Sequence, residues 1–174
     1  ASGKEITAST TFTAEDFTGT VEIEFTFDGV ELAGHDVVAF EAMEHEGKEY
    51  MVHADIEDEG QTVRVVDIHT TATNPEAGDN LGSASEELEL VDAVAYENLT
   101  PGSPYRLTAT LYDSETGSEI VDSEGKVVTA EVEFTPEEEN SIAEVHVTVA
   151  TEGIAGHTLV FFERLADAEG NTIA

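Results

Sequence analysis

The fold is decided by the stretch Tyr105-Arg106-Leu107-Thr108-Ala109-Thr110-Leu111. Apolar side chains alternate with arginine or threonine along it. Because successive side chains of a β-strand point to opposite faces, this alternation predicts a strand with one face in a core and the other in water. The same alternation recurs along the chain at 21–27, 132–134 and 145–149. Several short strands of this kind predict an all-β protein built as an antiparallel β-sandwich.

Turn sequences separate the predicted strands, and they are Glu46-Gly47-Lys48, Pro101-Gly102-Ser103-Pro104, Ser114-Glu115-Thr116-Gly117 and Ala168-Glu169-Gly170-Asn171. Glycine, proline and asparagine at such places favour chain reversal. Segment 74–87 is rich in Gly, Ser, Asn and acids, which predicts a loop. The acidic stretches 14–16 and 136–139 are each expected to carry a turn of helix.

A repeat becomes visible when residues 3–50 are aligned with residues 125–174. The aligned pairs include Gly3-Lys4 with Gly125-Lys126, Ala33-Gly34-His35 with Ala155-Gly156-His157, and Val38-Ala39-Phe40-Glu41 with Val160-Phe161-Phe162-Glu163. The first copy continues into a polar phrase that runs from His53 to Gln61. The second copy reaches Ala174 before its own version of that phrase would begin.

The charge excludes several classes of partner. The chain has 39 acidic and 6 basic residues, for a formal net charge of -33. No basic patch can form, so nucleic acid is excluded as a partner and anionic membrane surfaces are disfavoured. The acidity is most simply a solvated surface. No apolar run is long enough to span a membrane, no signal peptide is present, and no membrane insertion is expected.

No metal site or cofactor is predicted. Asp55-x-Glu57-x-Glu59-Gly60 resembles the beginning of an EF-hand loop, but Val66 stands where the twelfth position needs a bidentate glutamate. The chain has no cysteine, which excludes disulfides and thiol chemistry. The remaining histidines lack metal-ligand spacing and are expected to be surface residues: His35, His45, His69, His146 and His157.

The polar phrase carries the candidate chemistry. An imidazole, a carboxylate and a carboxamide stand at His53, Asp58 and Gln61, and threonine hydroxyls follow at Thr70 and Thr71. A hydroxyl, a carboxamide, a base and an acid are the groups that one acyl transfer within a protein requires. Such a transfer would join two strands and would not turn over a substrate.

The chain resembles the T-Q ester bond domains, or VaFE repeats, of Gram-positive surface adhesins. Ile68-His69-Thr70-Thr71-Ala72 is similar to the first strand of that family, and Val38-Ala39-Phe40-Glu41 to its name-giving motif. His53-Ala54-Asp55 through Asp58 to Gln61-Thr62 resembles its last strand. Two further stretches, 91–102 and 105–111, resemble its inner strands. The resemblance covers nearly the whole chain.

The resemblance implies an immunoglobulin-like antiparallel β-sandwich in a tandem array that forms an adhesin stalk. The protein would be extracellular and anchored to the cell wall, with the anchor outside this piece and neighbouring repeats as its partners. A threonine of the first strand is joined by an ester to a glutamine of the last strand, in a single turnover that does not make the protein an enzyme.

Carried over by position, the cross-link joins Thr70 to Gln61, and His53 and Asp58 assist. Thr71 is the alternative nucleophile, and strand alternation favours Thr70 because Ile68, Thr70 and Ala72 share a face. The family also uses an acid from an inner strand, and Asp28 is the candidate. The second copy has Ala150 at the equivalent place.

The order of these parts departs from the family, because Gln61 precedes Thr70. Residues 1–62 would be the C-terminal half of one repeat with its Gln strand, and residues 63–174 the next repeat without its last strand. The native partner of Gln61 should lie before Ala1, and that of Thr70 after Ala174. The chain would then be a fragment without an ester, a permutant, or a protein that associates head to tail by strand exchange. An open sandwich edge favours association.

Two other functions compete with the stalk. A ligand-binding adhesin module for host glycan or protein would place its specificity in loop 74–87, but the chain has no Trp and only 4 Tyr to form an aromatic binding surface. A hydrolase would use His53 and Asp58 with a threonine nucleophile. No glycine-flanked nucleophile elbow supports it.

Overall fold

The structure is a computed structural model that describes residues 5–84 and 87–174. The chain divides into two compact units, Ala1–Val65 and Val66–Ala174. The sequence placed this boundary after residue 62, whereas residues 63–65 group with the first unit. The repeat matches at Gly3 and Lys4 lie outside the described residues.

The first unit contains two antiparallel strand pairs, β1 with β4 and β2 with β3. The bounds are β1 Asp36–Val38, β2 Glu41–His45, β3 Lys48–His53 and β4 Thr62–Arg64. A two-residue turn with positive φ at both Glu46 (52°) and Gly47 (72°) joins β2 to β3. This geometry matches the twist of an antiparallel hairpin. Short 3₁₀ helices cover Val30–Leu32 and Glu59–Gln61.

The second unit is a sandwich of two antiparallel sheets. The first sheet has the order β10-β6-β5, and in the second β7 pairs with β11 on one side and with β8 and β9 on the other. The strands are β5 Asp67–Thr73, β6 Leu88–Glu97, β7 Tyr105–Asp113, β8 Ser118–Glu119, β9 Thr129–Phe134, β10 Ser141–Val149 and β11 Leu159–Ala166. The all-β antiparallel fold predicted from the sequence is confirmed.

The core of the second unit is built by the alternation seen in the sequence. Leu107 and Leu111 of β7 are completely buried; Leu107 packs with Val94 of β6, and Leu111 packs in a second cluster with Leu88 and Val149. Side chains between them, such as Thr108 and Thr110, are only half-buried. Each fully buried leucine contributes about 1.5–3 kcal/mol relative to an exposed one, so this core supplies most of the stability of the unit.

The prediction of a strand at 21–27 is wrong. Ile23, Phe25 and Phe27 are each 40% exposed and form no strand, although their repeat counterparts are the deeply buried valines of β10. In the second unit β10 pairs with β6, whereas none of the described residues 5–65 pairs with residues 21–27. A strand needs a partner for its backbone hydrogen bonds, so the pattern alone cannot form a ladder.

The turns of helix expected at 14–16 and 136–139 are also wrong, since bends are found there.

The two copies of the repeat share one local structure. A 3₁₀ helix at Val30–Leu32 precedes Gly34, whose φ is 73°, and a 3₁₀ helix at Glu152–Ile154 precedes Gly156, whose φ is 88°. Only glycine adopts this left-handed conformation without strain. The strand that follows is β1–β2 in the first unit and β11 in the second. These strands are therefore equivalent, and each carries the VaFE-type glutamate.

His157 is exposed, as the sequence predicts, and its ring contacts a buried carboxylate. His157 Nδ1 lies 2.8 Å from Oδ2 of Asp113, whose side chain is only 7% exposed. The pair joins the end of β7 to the turn before β11. Asp113 also accepts a hydrogen bond from the backbone N–H of Glu115 at 2.9 Å. Both contacts stabilise the ionised carboxylate.

Within residues 5–84 and 87–174, no helix is long and apolar enough to cross a membrane.

Candidate functional site

A 3₁₀ helix of the first unit positions the candidate glutamine. Asp58 precedes this helix, and its Oδ1 accepts a hydrogen bond from the N–H of Gly60 at 2.7 Å. The backbone N–H of Gln61 donates to the carbonyl of Asp58 at 3.1 Å, and the carbonyl of Gln61 accepts from Ala39 at 3.0 Å. An aspartate at this place satisfies helix N–H groups that would otherwise lack partners. Gln61 is thereby fixed beside the strand that bears Glu41.

The imidazole of His53 lies between two carboxylates. Its Nε2 is 2.9 Å from Oδ2 of Asp58, and its Nδ1 is 3.8 Å from Oε2 of Glu41. The shorter contact orients Nε2 towards Asp58 and leaves Nδ1 on the side of Glu41. His53 stands directly opposite Glu41 in the β2–β3 hairpin. Strand register therefore sets the position of the candidate base.

Glu41 also holds the carboxamide. With the amide oriented so that both groups are satisfied, the Gln61 nitrogen donates to Oε2 of Glu41 at 3.3 Å and to Oε1 of the same carboxylate. The first unit thus gathers a carboxamide, an imidazole and two carboxylates. Three of these residues were expected from the sequence, and Glu41 adds the contact that links them.

The second unit contains a pair of carboxyl groups inside the sandwich. Asp92 of β6 is completely buried, and it meets Glu163 of β11, which is the repeat counterpart of Glu41. No hydrogen-bond donor from the described residues reaches either oxygen of Asp92 or Oε1 of Glu163. Two buried carboxylates cannot both be ionised at contact, so one proton between them supplies the missing hydrogen bond.

The pKa of Glu163 follows from this environment. Burial is the largest cause that raises the pKa of Glu163, and the hydrogen bond and the charge of Asp92 raise it further, from 4.5 to about 8. Glu163 is therefore largely protonated at neutral pH. A neutral carboxyl group can donate a hydrogen bond to a carbonyl oxygen on which negative charge develops.

Thr70 lies on β5, beside this pair. Thr70 stands opposite the buried Val94, and Ala72 stands opposite Asp92. Residues directly opposite each other in an antiparallel ladder share a face, so Thr70 lies on the core-facing side with Asp92. Thr70 is nevertheless exposed, because β5 is the outermost strand of its sheet. Thr71 lies on the other face.

The predicted site residues therefore fall into two groups. The structure brings His53, Asp58 and Gln61 together in the first unit, whereas Thr70 belongs to the second unit. Asp28 joins neither group. It is exposed, and its Oδ1 accepts a hydrogen bond from the N–H of Val30 at 3.1 Å.

Sequence reasoning missed Asp92 as a functional residue and treated Glu163 as an ordinary carboxylate. A signal was available in β6, where the core-facing positions are occupied by Leu88, Asp92, Val94 and Tyr96. An acid at an inward position is costly unless it has a partner or a function. The repeat supplied a second signal, since Glu163 matches Glu41.

Metal ligation was also examined. In the described portions of the chain, no group of three or more histidine and acidic side chains is arranged to hold a metal ion.

Each group contains some of the functional groups that an acyl transfer requires. The first unit has the carboxamide and an imidazole whose ring is held by Asp58. The second has a hydroxyl beside a carboxyl pair that shares a proton. Attack of a hydroxyl on an amide needs a base for the hydroxyl proton, a donor to the amide oxygen and a proton for the departing nitrogen. The two groups together contain all of these.

Comparison with known proteins identifies a family but no individual relative. No curated protein matches the chain. The sequence model of the T-Q ester bond containing domain matches residues 1–65 and, separately, residues 66–174. Domains of this family are associated with extracellular surface proteins. Because the two matches together span the sequence, the chain belongs to the T-Q ester bond domain family.

Proposed function

We propose that this chain is a structural module of the stalk of an adhesin on the surface of a Gram-positive bacterium, and that a self-made ester between a threonine and a glutamine stabilises it. The observation that carries the proposal is the complementarity of the two units. One presents Gln61 with His53, and the other presents Thr70 beside Asp92 and Glu163.

The reaction is a single acyl transfer. Oγ of Thr70 attacks Cδ of Gln61, and Nδ1 of His53 takes the hydroxyl proton. The neutral carboxyl group of Glu163 donates to the amide oxygen as charge develops there. The C–N bond of Gln61 then breaks, and His53 returns the proton to the departing nitrogen. The products are one ester and one ammonia, and the chain performs the reaction once.

The family resemblance favours a mechanical role over ligand binding. A covalent tie between strands restricts the unfolded chain much as a disulfide does, which stabilises by about 2–5 kcal/mol. It would also carry tension directly between strands. The cysteine-free chain has no disulfide that could do this. We place the module on the outer face of the cell wall, in series with neighbouring repeats.

The mass of the denatured protein tests this proposal. The wild-type chain should lose about 17 Da, the mass of ammonia, for each ester that forms, and hydroxylamine should cleave the product because it attacks esters faster than amides. The Gln61→Ala variant should keep its full mass. An unmodified wild-type mass after long incubation at high concentration would refute the ester function.

A further inference from the structure

A groove runs between two strand edges of the second unit, on the side away from β5 and β11. Among the described residues β10 pairs only with β6, and β9 pairs only with β7, so each strand has one unpaired edge. The groove between these edges has a volume of about 560 Å³, which is the size of a typical ligand-binding cleft. Every residue that lines it lies within 96–144, far from both termini of the chain.

The floor of the groove is apolar. The rings of Tyr96 and Phe134 pack against each other there, with centroids 5.5 Å apart, and Ala143 belongs to the same cluster. Ile142 of β10 adds a side chain that is 62% exposed. Covering these apolar groups with a partner removes them from water and is therefore favourable.

One wall of the groove is held in place by contacts with a neighbouring turn. The loop between β9 and β10 carries Pro136, whose carbonyl accepts the N–H of Gly102 at 2.9 Å. The side-chain oxygen of Asn140 in the same loop accepts the N–H of Asn98 at 2.8 Å. Both contacts tie the loop to the turn between β6 and β7. The groove is therefore formed before a partner binds, which lowers the entropy cost of binding.

The rim of the groove is negatively charged. Glu137 and Glu138 of the loop and Glu144 of β10 line the groove and are exposed, and no lysine or arginine is among the described residues that line it. Such a rim attracts a segment that carries basic side chains and repels a second copy of this chain, whose formal charge is -33. The chain has only 6 basic residues, so the matching charges belong to a different protein.

The unpaired edge of β10 fits an extended partner. Side chains of β10 alternate, so that Ile142 and Glu144 are exposed whereas Ala143 and Val145 are buried. An edge strand presents backbone N–H and C=O groups that an added strand can pair with. Alternate side chains of the added strand then lie over the apolar floor, and those between them lie on the side of Glu144. This arrangement selects a sequence in which apolar and basic residues alternate.

We propose that the groove between β9 and β10 is a docking surface for an extended basic segment of another protein, which adds a strand to the edge of β10. Apolar side chains of that segment cover Phe134, while the stem of a lysine packs on Ile142 and its ammonium group reaches Glu144. The surface does not depend on the ester, because Thr70 lies on β5, at the opposite edge of the same sheet.

A synthetic peptide of about ten residues, in which lysine and valine alternate, tests the proposal as the probe. Its binding to the full-length protein is measured by fluorescence anisotropy of the labelled peptide in 0.05 M salt. Replacing Glu137, Glu138 and Glu144 together by glutamine should weaken binding about tenfold, because three exposed ion pairs are lost. The matched control makes the same change at three exposed acids outside the groove and should keep most of the affinity: Glu76, Glu124 and Glu169.

Two further measurements locate the peptide. Amide resonances of residues 141–149 should shift on titration, whereas those of β5 should not. Ile142→Thr keeps a β-branched side chain and should weaken binding several-fold, because apolar contact is lost. Thr70→Val should bind the peptide as the wild type does, so this result is independent of whether the ester forms.

A peptide in which lysine and serine alternate has the same charge without the apolar side chains, and it should bind about tenfold more weakly. Equal binding of the two peptides, or an equal loss in the two triple variants, would mean that the acidic surface as a whole attracts them and that the groove is not a docking surface. Absence of binding in 0.05 M salt would overturn the proposal as well. Shifts at 141–149 that appear without peptide as the protein concentration rises would assign the groove to a second copy instead.

Discussion

The carboxyl groups of Asp92 and Glu163 meet between the two sheets of the second unit. Asp92 reaches the contact from β6 and Glu163 from β11, so neither strand alone reveals the pair. Burying an ionised carboxylate without a partner costs free energy of folding. When two carboxyl groups are adjacent, one proton neutralises one of them and leaves the other charged. The sandwich therefore contains a protonated acid, Glu163, beside the strand that carries Thr70.

The stability of the second unit should fall as the pH rises. The pKa of Glu163 is raised from 4.5 to about 8 in the folded protein. Its contribution to stability is then fully present below pH 4.5 and is lost as the pH rises through about 8, because the folded state binds the proton more tightly. Glu163→Gln cannot titrate and should show a shallower decline in its unfolding midpoint between pH 5 and pH 9, measured by chemical denaturation.

Glu97→Gln is the control, since Glu97 is an exposed acid at the end of the strand that contains Asp92. It should follow the wild-type curve. Parallel curves for Glu163→Gln and the wild type would mean that Glu163 is ionised in the folded state.

How far sequence predicts this molecule depends on where the partners of each segment lie. The alternation at 105–111 predicted a buried-face strand, and β7 confirms it because β9 and β11 flank it. Alternation of equal quality at 21–27 produced no strand, because none of the described residues 5–65 pairs with it. The alternation of apolar side chains predicts which face of a strand would be buried. Whether the strand forms depends on the sheet topology, which determines whether a neighbouring strand is present to pair with it.

The candidate site shows the same limit. His53, Asp58 and Gln61 lie within one short polar phrase, and local turn geometry brings them together. Asp92 and Glu163 are far apart in sequence and meet only because two sheets pack face to face. Asp28 was chosen as an acid at a plausible place for the inner-strand acid of the family, without knowledge of the register that determines which acids point inward.

Loss of the imidazole should slow ester formation without unfolding the protein. His53 is half-exposed and its ring is held by Asp58, so His53→Ala removes the base but little packing. A general base contributes about 10²–10⁴-fold to a rate. The rate of ammonia release should fall by that factor. His45→Ala is the matched control, because His45 is an exposed histidine of the same hairpin, and an equal loss in both variants would contradict the assignment.

Asp58→Asn should give an intermediate rate. Asparagine can still accept the hydrogen bond from Gly60 that shapes the 3₁₀ helix, but it cannot stabilise a positively charged imidazole. We expect slower ester formation with an unchanged circular dichroism spectrum. A rate equal to that of the wild type would show that Asp58 acts only as a helix cap.

The two adjacent threonines should behave differently. Thr70 lies on the strand face of Asp92, and Thr71 lies on the opposite face. Thr70→Val preserves the branched shape and removes the hydroxyl, so it should abolish the mass loss. Thr71→Val should retain it. Peptide mapping of the cross-linked wild type would locate the ester directly, and a cross-link at Thr71 would reverse the assignment.

Equivalent repeat positions should contribute unequally to the main unfolding transition. Val147 is 4% exposed in the core, whereas its counterpart Phe25 is 40% exposed in the other unit. Val147→Ala should lower the free energy of unfolding of the second unit by about 2 kcal/mol, at about 0.8 kcal/mol for each buried methylene-sized group. Phe25→Ala removes a larger side chain but should leave that transition in place, measured by calorimetry. A comparable shift from Phe25→Ala would show that the two units unfold together.

The contact between His157 and Asp113 should hold the end of β7 most strongly in mildly acidic solution. The hydrogen bond with Asp113 raises the pKa of His157 above 6.5, and the hydrogen bond with His157 lowers the pKa of Asp113 below 3.8. The contribution of the histidine is fully present below pH 6.5 and is lost as the pH rises through its raised pKa. The contribution of the aspartate is present above pH 3.8 and is lost as the pH falls through its lowered pKa.

Amide exchange at Ser114, which donates to the carbonyl of Thr158, should therefore be slowest between about pH 4 and pH 6.5 after correction for intrinsic rates. His157→Gln should remove this minimum, while His146→Gln, at an exposed histidine of β10, should preserve it.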